Sequence, residues 1–480
     1  MKAPLPAGST RRAVLKGALA AGAVAGFPSI VPFTVFGQTA PSNRIQVAQI
    51  GCGRIARHSE FPGVLRHHQI ARFVAVADVD SVRLADAKRT LEAEYAKQLG
   101  TGKYNAIKTY DDYREMLEDK SIDAVCISTP DHWHAQPAME AALAGKDVYL
   151  QKPASLTIAE GRHMADLLKR TGRILQLGSQ QRSALNWRLA CELVRNGRIG
   201  KLTEIYIGLP YDPSGGNPAP MPAPGNLNYD FWLGSTPECA YTEDRVHPQK
   251  GDLAKRYDRP GWLRCEQFGA GMITGWGAHH VDIAHWAMDV EYSGPQTVAA
   301  LAEFPAPDSG LWDVHGNYHV RMNYANGVSM YIGDFYPNGV KFVGEEGWIW
   351  VTRGNYAAGE PAPGTRNAAL DAHDPRMLRE GIKAGEIRLH ESPRQDHHLD
   401  WLESVRTRKA PATNAEIGHR SCSACLVAHI AMRLKRELKW DPAKERFEND
   451  DEANRMLSRE QRTPYGSLAV LKKAGMAGSA

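Results

Sequence analysis

A short apolar run, Ile45 to Ile50, breaks at Gly51-Cys52-Gly53-Arg54-Ile55-Ala56 and is followed by a helical stretch. Glycine at the first position permits a tight turn, and glycine at the second lets backbone amides approach a pyrophosphate. The small residue at the end of the motif lets helix and strand sit close together, and the helix N-terminus stabilises the phosphates. A second strand, Phe73 to Ala77, ends in Asp78, placed to accept hydrogen bonds from the adenosine ribose. A carboxylate there repels a 2′-phosphate, so the pattern predicts NAD rather than NADP. Gly51, Gly53, Arg54, Ile55 and Asp78 are therefore the expected first contacts of the nucleotide. The separation from Gly51 to Asp78 exceeds the usual spacing of roughly twenty residues, which an extended first helix explains.

The same rhythm continues. Ser81 to Gln98 reads as helix, Ala124 to Ser128 as strand, Gln136 to Ala144 as helix, Asp147 to Leu150 as strand, Ile158 to Arg170 as amphipathic helix and Ile174 to Leu177 as strand. Such alternation predicts βαβ units and a parallel sheet. Beyond about residue 175 the pattern changes. Residues 210–265 are rich in Pro, Gly, Asn and aromatics, as expected of ordered loops around a site. Tyr318 to Met322 and Val328 to Ile332 alternate apolar and polar residues and read as antiparallel strands. Residues 396–438 look helical, and the tail from Trp440 reads as charged and largely irregular. The expectation is an α/β protein: a signal segment at 1–41, a Rossmann domain at 42–175, and an α+β domain with a largely antiparallel open sheet at 176–480. That sheet would cover a cleft or form the interface of a homodimer or homotetramer.

Ser9-Thr10-Arg11-Arg12-Ala13-Val14-Leu15-Lys16, then a weakly apolar Ala/Gly stretch and Pro28, has the layout of a twin-arginine export signal. The stretch is too short, and too broken by proline, to anchor the mature protein in a membrane. Periplasmic or other export is therefore expected, by a route that carries folded proteins with cofactor already bound. The net charge of +4 over 480 residues, without a Lys/Arg run, gives no footprint for nucleic acid. Seven scattered cysteines define no disulfide framework, and Cys422 and Cys425, three apart on a presumed helix, read as small packing residues.

At Thr129-Pro130-Asp131-His132-Trp133-His134 and Gly145-Lys146-Asp147-Val148-Tyr149-Leu150-Gln151-Lys152-Pro153 the sequence resembles the Gfo/Idh/MocA oxidoreductases. That family shows T-P-x-x-x-H and G-K-x-V-x-x-E-K-P at about this spacing, and Gly277-Ala278-His279-His280-Val281-Asp282 is similar to its G-x-H-x-x-D. The twin-arginine segment, the Gln-Lys-Pro variant and the tail at 447–455 look like an exported subgroup. The resemblance implies that Lys152 lies near the nicotinamide and the reacting hydroxyl. It implies that Thr129, Pro130, His132 and His134 follow the cofactor, that Gln151 stands where the family has Glu, and that His279 meets the substrate or acts as base. An Asp that several members carry four residues before that histidine is Gly275 here.

Oxidising a secondary alcohol with NAD needs a hydride acceptor, a base and a donor for the developing alkoxide. Lys152 suits the last role, and loss of the neighbouring Glu charge should lower its pKa. His279, with an ordinary pKa near neutrality, is the expected base. His279, His280, Asp282 and His285 could instead bind a metal at helical spacing, although helix capping and core roles fit them better and no metal is expected. Tyr229, Phe231, Trp232, Tyr257 and Trp262 offer faces on which a sugar could stack. The expected activity is NAD-dependent oxidation of a sugar, polyol or glycoside hydroxyl. The alternatives are a glycosidase that oxidises C3 transiently, and a ligand-binding relative without catalysis.

Overall fold

The computed structural model describes residues 43–249, 253–354 and 368–476, without the side chains of Leu253 and Ala254. The twin-arginine segment expected at residues 1–41 lies outside these residues.

Six short strands form the first sheet: β1 (Ile45–Ile50), β2 (Ala71–Ala77), β3 (Lys108–Tyr110), β4 (Ala124–Ile127), β5 (Asp147–Leu150) and β6 (Leu175–Leu177). Their order is β3-β2-β1-β4-β5-β6, and every pairing is parallel. Each residue of β4 and β5 is buried, as a parallel sheet covered on both faces requires. The order reverses between β1 and β4, so a crevice opens beyond their carboxyl ends, where ligands of this architecture bind.

Two details depart from the sequence reading. The edge strand β3 was not foreseen, because three residues with two exposed carry no alternation to detect. The stretch after the glycine turn is not one extended helix. A π-helical turn, Ala56–Glu60, runs into a single α-turn, Phe61–Leu65, and this wider winding with the turn at 66–70 accounts for the long Gly51–Asp78 separation. The π-turn also carries Glu60 to a fully buried position.

The second sheet has nine strands: β7 (Leu202–Gly208), β8 (Thr297–Ala302), β9 (Tyr318–Asn323), β10 (Ser329–Gly333), β11 (Gly339–Gly344), β12 (Gly347–Val351), β13 (Leu370–Ala372), β14 (Leu438–Asp441) and β15 (Arg446–Phe447). They run in the order β13-β12-β11-β7-β10-β9-β8-β14-β15, antiparallel except for the β7–β10 pair. The helices Gly277–Met288 and Ala415–Leu434 lie against it, the first buried at every residue. Burial all round such a helix fits a position between layers rather than at a surface, with its polar side chains His280, Asp282 and His285 hydrogen-bonded inside.

The tail is more ordered than its composition suggests. Trp440 and Phe447 pack edge to face in a small hairpin, and Asp451–Arg455 and Ser467–Lys473 are helices, the latter burying Val470 and Leu471. Scattered large apolar residues among charges hid this order. Cys422 and Cys425 are buried in the Ala415–Leu434 helix, where burial pushes both thiols above their ordinary pKa. Among the described residues no helix is long and apolar enough to cross a membrane.

Candidate active site

The crevice is a cavity of about 830 Å³ that runs from the glycine turn, past the ends of β1, β4 and β5, to the start of the Gly277–Met288 helix. That size suits a dinucleotide with a small substrate.

At one end Gly51 turns with φ +79°, and a Cβ built there would lie 2.9 Å from the Ser128 carbonyl oxygen. Only glycine allows β1 and β4 to approach so closely while the loop stays open to the cavity. Asp78 accepts from Cys52 N (2.6 Å) and Asp80 N (2.8 Å), so its carboxylate shapes the glycine loop as well as lining the cavity. Burial, helped by the nearby Asp80 charge, raises its pKa to about 6. Two hydrogen bonds leave lone pairs free for ribose hydroxyls. Gly53, Arg54, Ile55, Thr129 and Pro130 also line the cavity. The loop bearing amides, the glycine cradle and the carboxylate together fit NAD.

At the other end stands Lys152, directly after β5. Its Nζ donates to the Gly275 carbonyl oxygen at 2.8 Å, so at the position of the missing carboxylate a backbone oxygen orients the ammonium. Burial lowers the Lys152 pKa and Arg353, Arg259 and Arg54 lower it further, while Asp131 opposes them. Asp131 is itself buried, lines the same cavity and has its pKa raised by burial, against the pull of Lys152. In the sequence Asp131 stands inside Thr-Pro-Asp-His-Trp-His with nothing to mark a role of its own. Its only signal was an acidic residue one step past a strand-ending Thr-Pro.

Gln151 lines the cavity and donates from Nε2 to Glu60 Oε1 at 2.8 Å, while Ser128 Oγ donates to Glu60 Oε2 at 2.9 Å. The acidic partner of this corner is therefore Glu60, from the π-turn, where residue 151 is an amide. Burial raises the Glu60 pKa to about 7 despite these donors. Glu60 was missed because nothing in the sequence announces a π-turn.

His279 lines the cavity beside Lys152, with Nδ1 buried and unpartnered. Burial first, then Arg353 and Lys152, drive its pKa well below the ordinary value. The ring is thus held neutral, with Nδ1 left to meet a group in the cavity. His134 lines the cavity too, but its Nδ1 lies 2.5 Å from Pro153 O and its Nε2 3.0 Å from Thr129 O. It bridges the two loops; burial lowers its pKa to about 4, and a neutral ring donates to only one of these oxygens.

His132 is a correction. It does not line the cavity: its Nε2 lies 2.8 Å from Trp232 O and its ring packs against Trp232 and Phe268, so the aromatic cluster holds it away from the cavity. Phe231, Trp232 and Trp262 reach the cavity, whereas Tyr229 stacks on Trp232 and Tyr257 lies beneath Arg57 and Arg83. The residues weighed as metal ligands disperse. Asp282 accepts Arg182 Nε at 2.6 Å, Arg182 Nη2 at 2.8 Å and Ser421 Oγ at 2.8 Å. His280 Nε2 meets Asn338 Oδ1 at 2.8 Å and His285 Nε2 meets Tyr324 OH at 2.9 Å. Among the described residues no cluster of three or more His, Cys, Asp or Glu is placed to hold a metal ion.

Fold and site together define a Rossmann-type dinucleotide-binding protein with a second, sheet-based domain. Residues 45–179 match the NAD-binding Rossmann fold of the Gfo/Idh/MocA oxidoreductase family, and residues 378–467 match that family's C-terminal alpha/beta domain. Two parts of the chain thus resemble the two domains of this oxidoreductase family. It is similar to myo-inositol 2-dehydrogenase of Thermotoga maritima, 31% identical over 179 residues that cover 37% of this chain and 47% of the relative. It is similar also to D-glucoside 3-dehydrogenase of Escherichia coli, 29% identical over 166 residues that cover 35% and 42%. The matched part is less than half the length of these curated relatives. Among solved structures, the WlbA dehydrogenase of Bordetella pertussis, in complex with NADH and UDP-GlcNAcA, shares the fold at a TM-score of 0.57 and 17% identity, over 83% of this chain and 99% of that one.

Proposed function

We propose that this protein is an NAD-dependent oxidoreductase that removes hydride from a secondary hydroxyl-bearing carbon of a sugar, polyol or glycoside. The observation that carries the reading is Lys152, fixed on Gly275 O within the cavity that begins at the glycine turn and shared with Asp131. The named dehydrogenases of inositol and glucosides among its relatives support it.

When bound, NAD supplies the hydride acceptor. Gly51, Gly53, Arg54 and Ile55 would hold its phosphates, Asp78 its ribose, and Thr129, Pro130 and Gln151 the edge of its nicotinamide half. Lys152 orients the substrate hydroxyl through Nζ. With its pKa lowered by burial, it reaches the neutral amine at a milder pH than an exposed lysine and can then take the hydroxyl proton. Asp131 beside it takes part in holding that proton, and neutral His279 offers a hydrogen bond to the same oxygen. Trp232, Trp262 and Trp276 shield the site from water and offer faces to a ring.

A second reading is a glycosidase that oxidises C3 transiently. Asp131 favours it, because a second titratable group near Lys152 can accept the C2 proton. Incubation with NAD and a panel of free sugars and nitrophenyl glycosides tests both. Accumulating NADH supports the dehydrogenase, aglycone release without NADH supports the glycosidase, and neither product in the presence of bound NAD would sink both. On the same reading the protein is exported through its twin-arginine segment. It forms a homodimer or homotetramer through the outer face of the nine-stranded sheet, where Tyr206 and Tyr331 stack and Leu301 and Phe335 are exposed.

A further inference from the structure

The cavity holds more positive charge at its substrate end than the nucleotide or the site itself uses. Arg54 and Arg83 stand at the glycine turn, where a pyrophosphate would meet them, and Lys152 faces Asp131. Arg259 has Asp212 within 3.7 Å. Arg353 remains. It follows β12, lines the cavity, and no carboxylate acts on it among the described residues.

Its setting is built rather than incidental. The guanidinium lies 4.6 Å over the Trp276 ring, which holds its plane. With the Gln181 amide turned to satisfy both of its neighbours, its Oε1 accepts from Arg353 Nε at 3.1 Å and its nitrogen donates to His279 O at 3.1 Å. One edge of the guanidinium is thereby occupied, and among the described residues no partner takes the paired terminal nitrogens, which stand at the cavity. A flat, stacked guanidinium with its terminal fork free matches the two coplanar oxygens of a carboxylate.

We infer that the substrate is an acidic sugar, whose carboxylate is bound by Arg353 beside the Lys152 site. This rests on the oxidoreductase reading above and narrows it to a substrate class. A carboxylate held there would fix the ring against Trp276 and leave its secondary hydroxyls toward Lys152 and His279.

The test compares methyl glucuronide, methyl glucoside and glucose 6-phosphate with the purified full chain and Arg353→Gln. NADH formation is followed, and binding to the NAD-loaded protein is measured by calorimetry. The wild type is expected to favour the glucuronide over the glucoside by roughly tenfold or more in kcat/KM, mostly through KM. Arg353→Gln should collapse that ratio toward one. Equal use of glucuronide and glucoside, a preference for the phosphate, or a preference that survives Arg353→Gln would overturn the inference while leaving the oxidoreductase reading intact. Glucuronide binding that depends on Arg353, without NADH formed from any sugar, would support the acidic site and count against the oxidoreductase. Absence of both binding and turnover would overturn the acidic site too.

Discussion

Replacing Glu60 by Gln should change how the stability of this protein depends on pH, by an amount the site geometry sets. Glu60 is fully buried, and its pKa is raised from 4.5 to about 7 by burial, against donors from Gln151 and Ser128. In the unfolded chain the group titrates near its ordinary value. Below about pH 4.5 both states hold the proton, and Glu60 imposes no pH-linked penalty. As pH rises toward 7 the unfolded state releases the proton and the folded state retains it, so stability falls; above 7 the loss is complete. At about 1.4 kcal/mol per pH unit the full loss is roughly 3 kcal/mol, of which about 2–3 kcal/mol falls between pH 5 and pH 7.5. Gln cannot ionise, and its amide can accept from Gln151 while donating to Ser128 Oγ. That exchange costs about 1 kcal/mol at most, at every pH alike. Urea unfolding of both proteins at pH 5 and pH 7.5 reads the difference directly. The stability of Glu60→Gln relative to wild type should improve by about 2–3 kcal/mol at the higher pH, other titrations cancelling between the two. Parallel pH profiles, differing by less than about 1 kcal/mol, would refute the claim that a buried acid was transferred to the π-turn.

Three further outcomes follow from the same geometry. Asp131→Asn removes the carboxylate that opposes the lowering of the Lys152 pKa, so the rise of kcat with pH should shift to lower pH and kcat should drop; an unmoved pH profile would assign Asp131 a merely structural role. Gly51→Ala puts a Cβ 2.9 Å from Ser128 O at φ +79°, so NAD affinity in a fluorescence titration should fall by about tenfold or more while the far-ultraviolet circular dichroism is kept. Asp282→Asn breaks a fully buried pair with Arg182, and the unfolding free energy should fall by about 3–5 kcal/mol without any dependence on added zinc or manganese.

The parallel domain was legible because its signals are local and repeated. The strands Ile45–Ile50 and Asp147–Leu150 and the helix Ser81–Gln98 lie where the alternation of short apolar runs, turn residues and helix-forming stretches places them, and the structure adds Asp80 as the helix cap. The second domain was read more coarsely, because its sheet joins strands far apart in sequence: β7 lies between β10 and β11. The site was legible where one motif supplies one residue, as at Gly51, Asp78 and Lys152. It was not legible where the role depends on a neighbour brought from elsewhere. Arg353 matters because Trp276 and Gln181 hold it, Glu60 because a π-turn aims it at Gln151, and Asp131 because Lys152 shares its cavity. His132 failed the other way. Its place in the motif suggested the nucleotide, but the Trp232 and Phe268 rings claim it.

On the function proposed above, Lys152 drives hydride removal from a sugar carbon onto nicotinamide in this cavity. Sugars deuterated at their ring carbons, incubated with NAD and either the purified full chain or Lys152→Met, give the most direct measurement: the deuterium content of the nicotinamide by mass spectrometry. The wild type should place deuterium on the nicotinamide. Lys152→Met should bind NAD with unchanged affinity and transfer deuterium slower by about 10²–10⁴-fold. Transfer at the wild-type rate in Lys152→Met, or no transfer by a wild type saturated with NAD, would contradict the account.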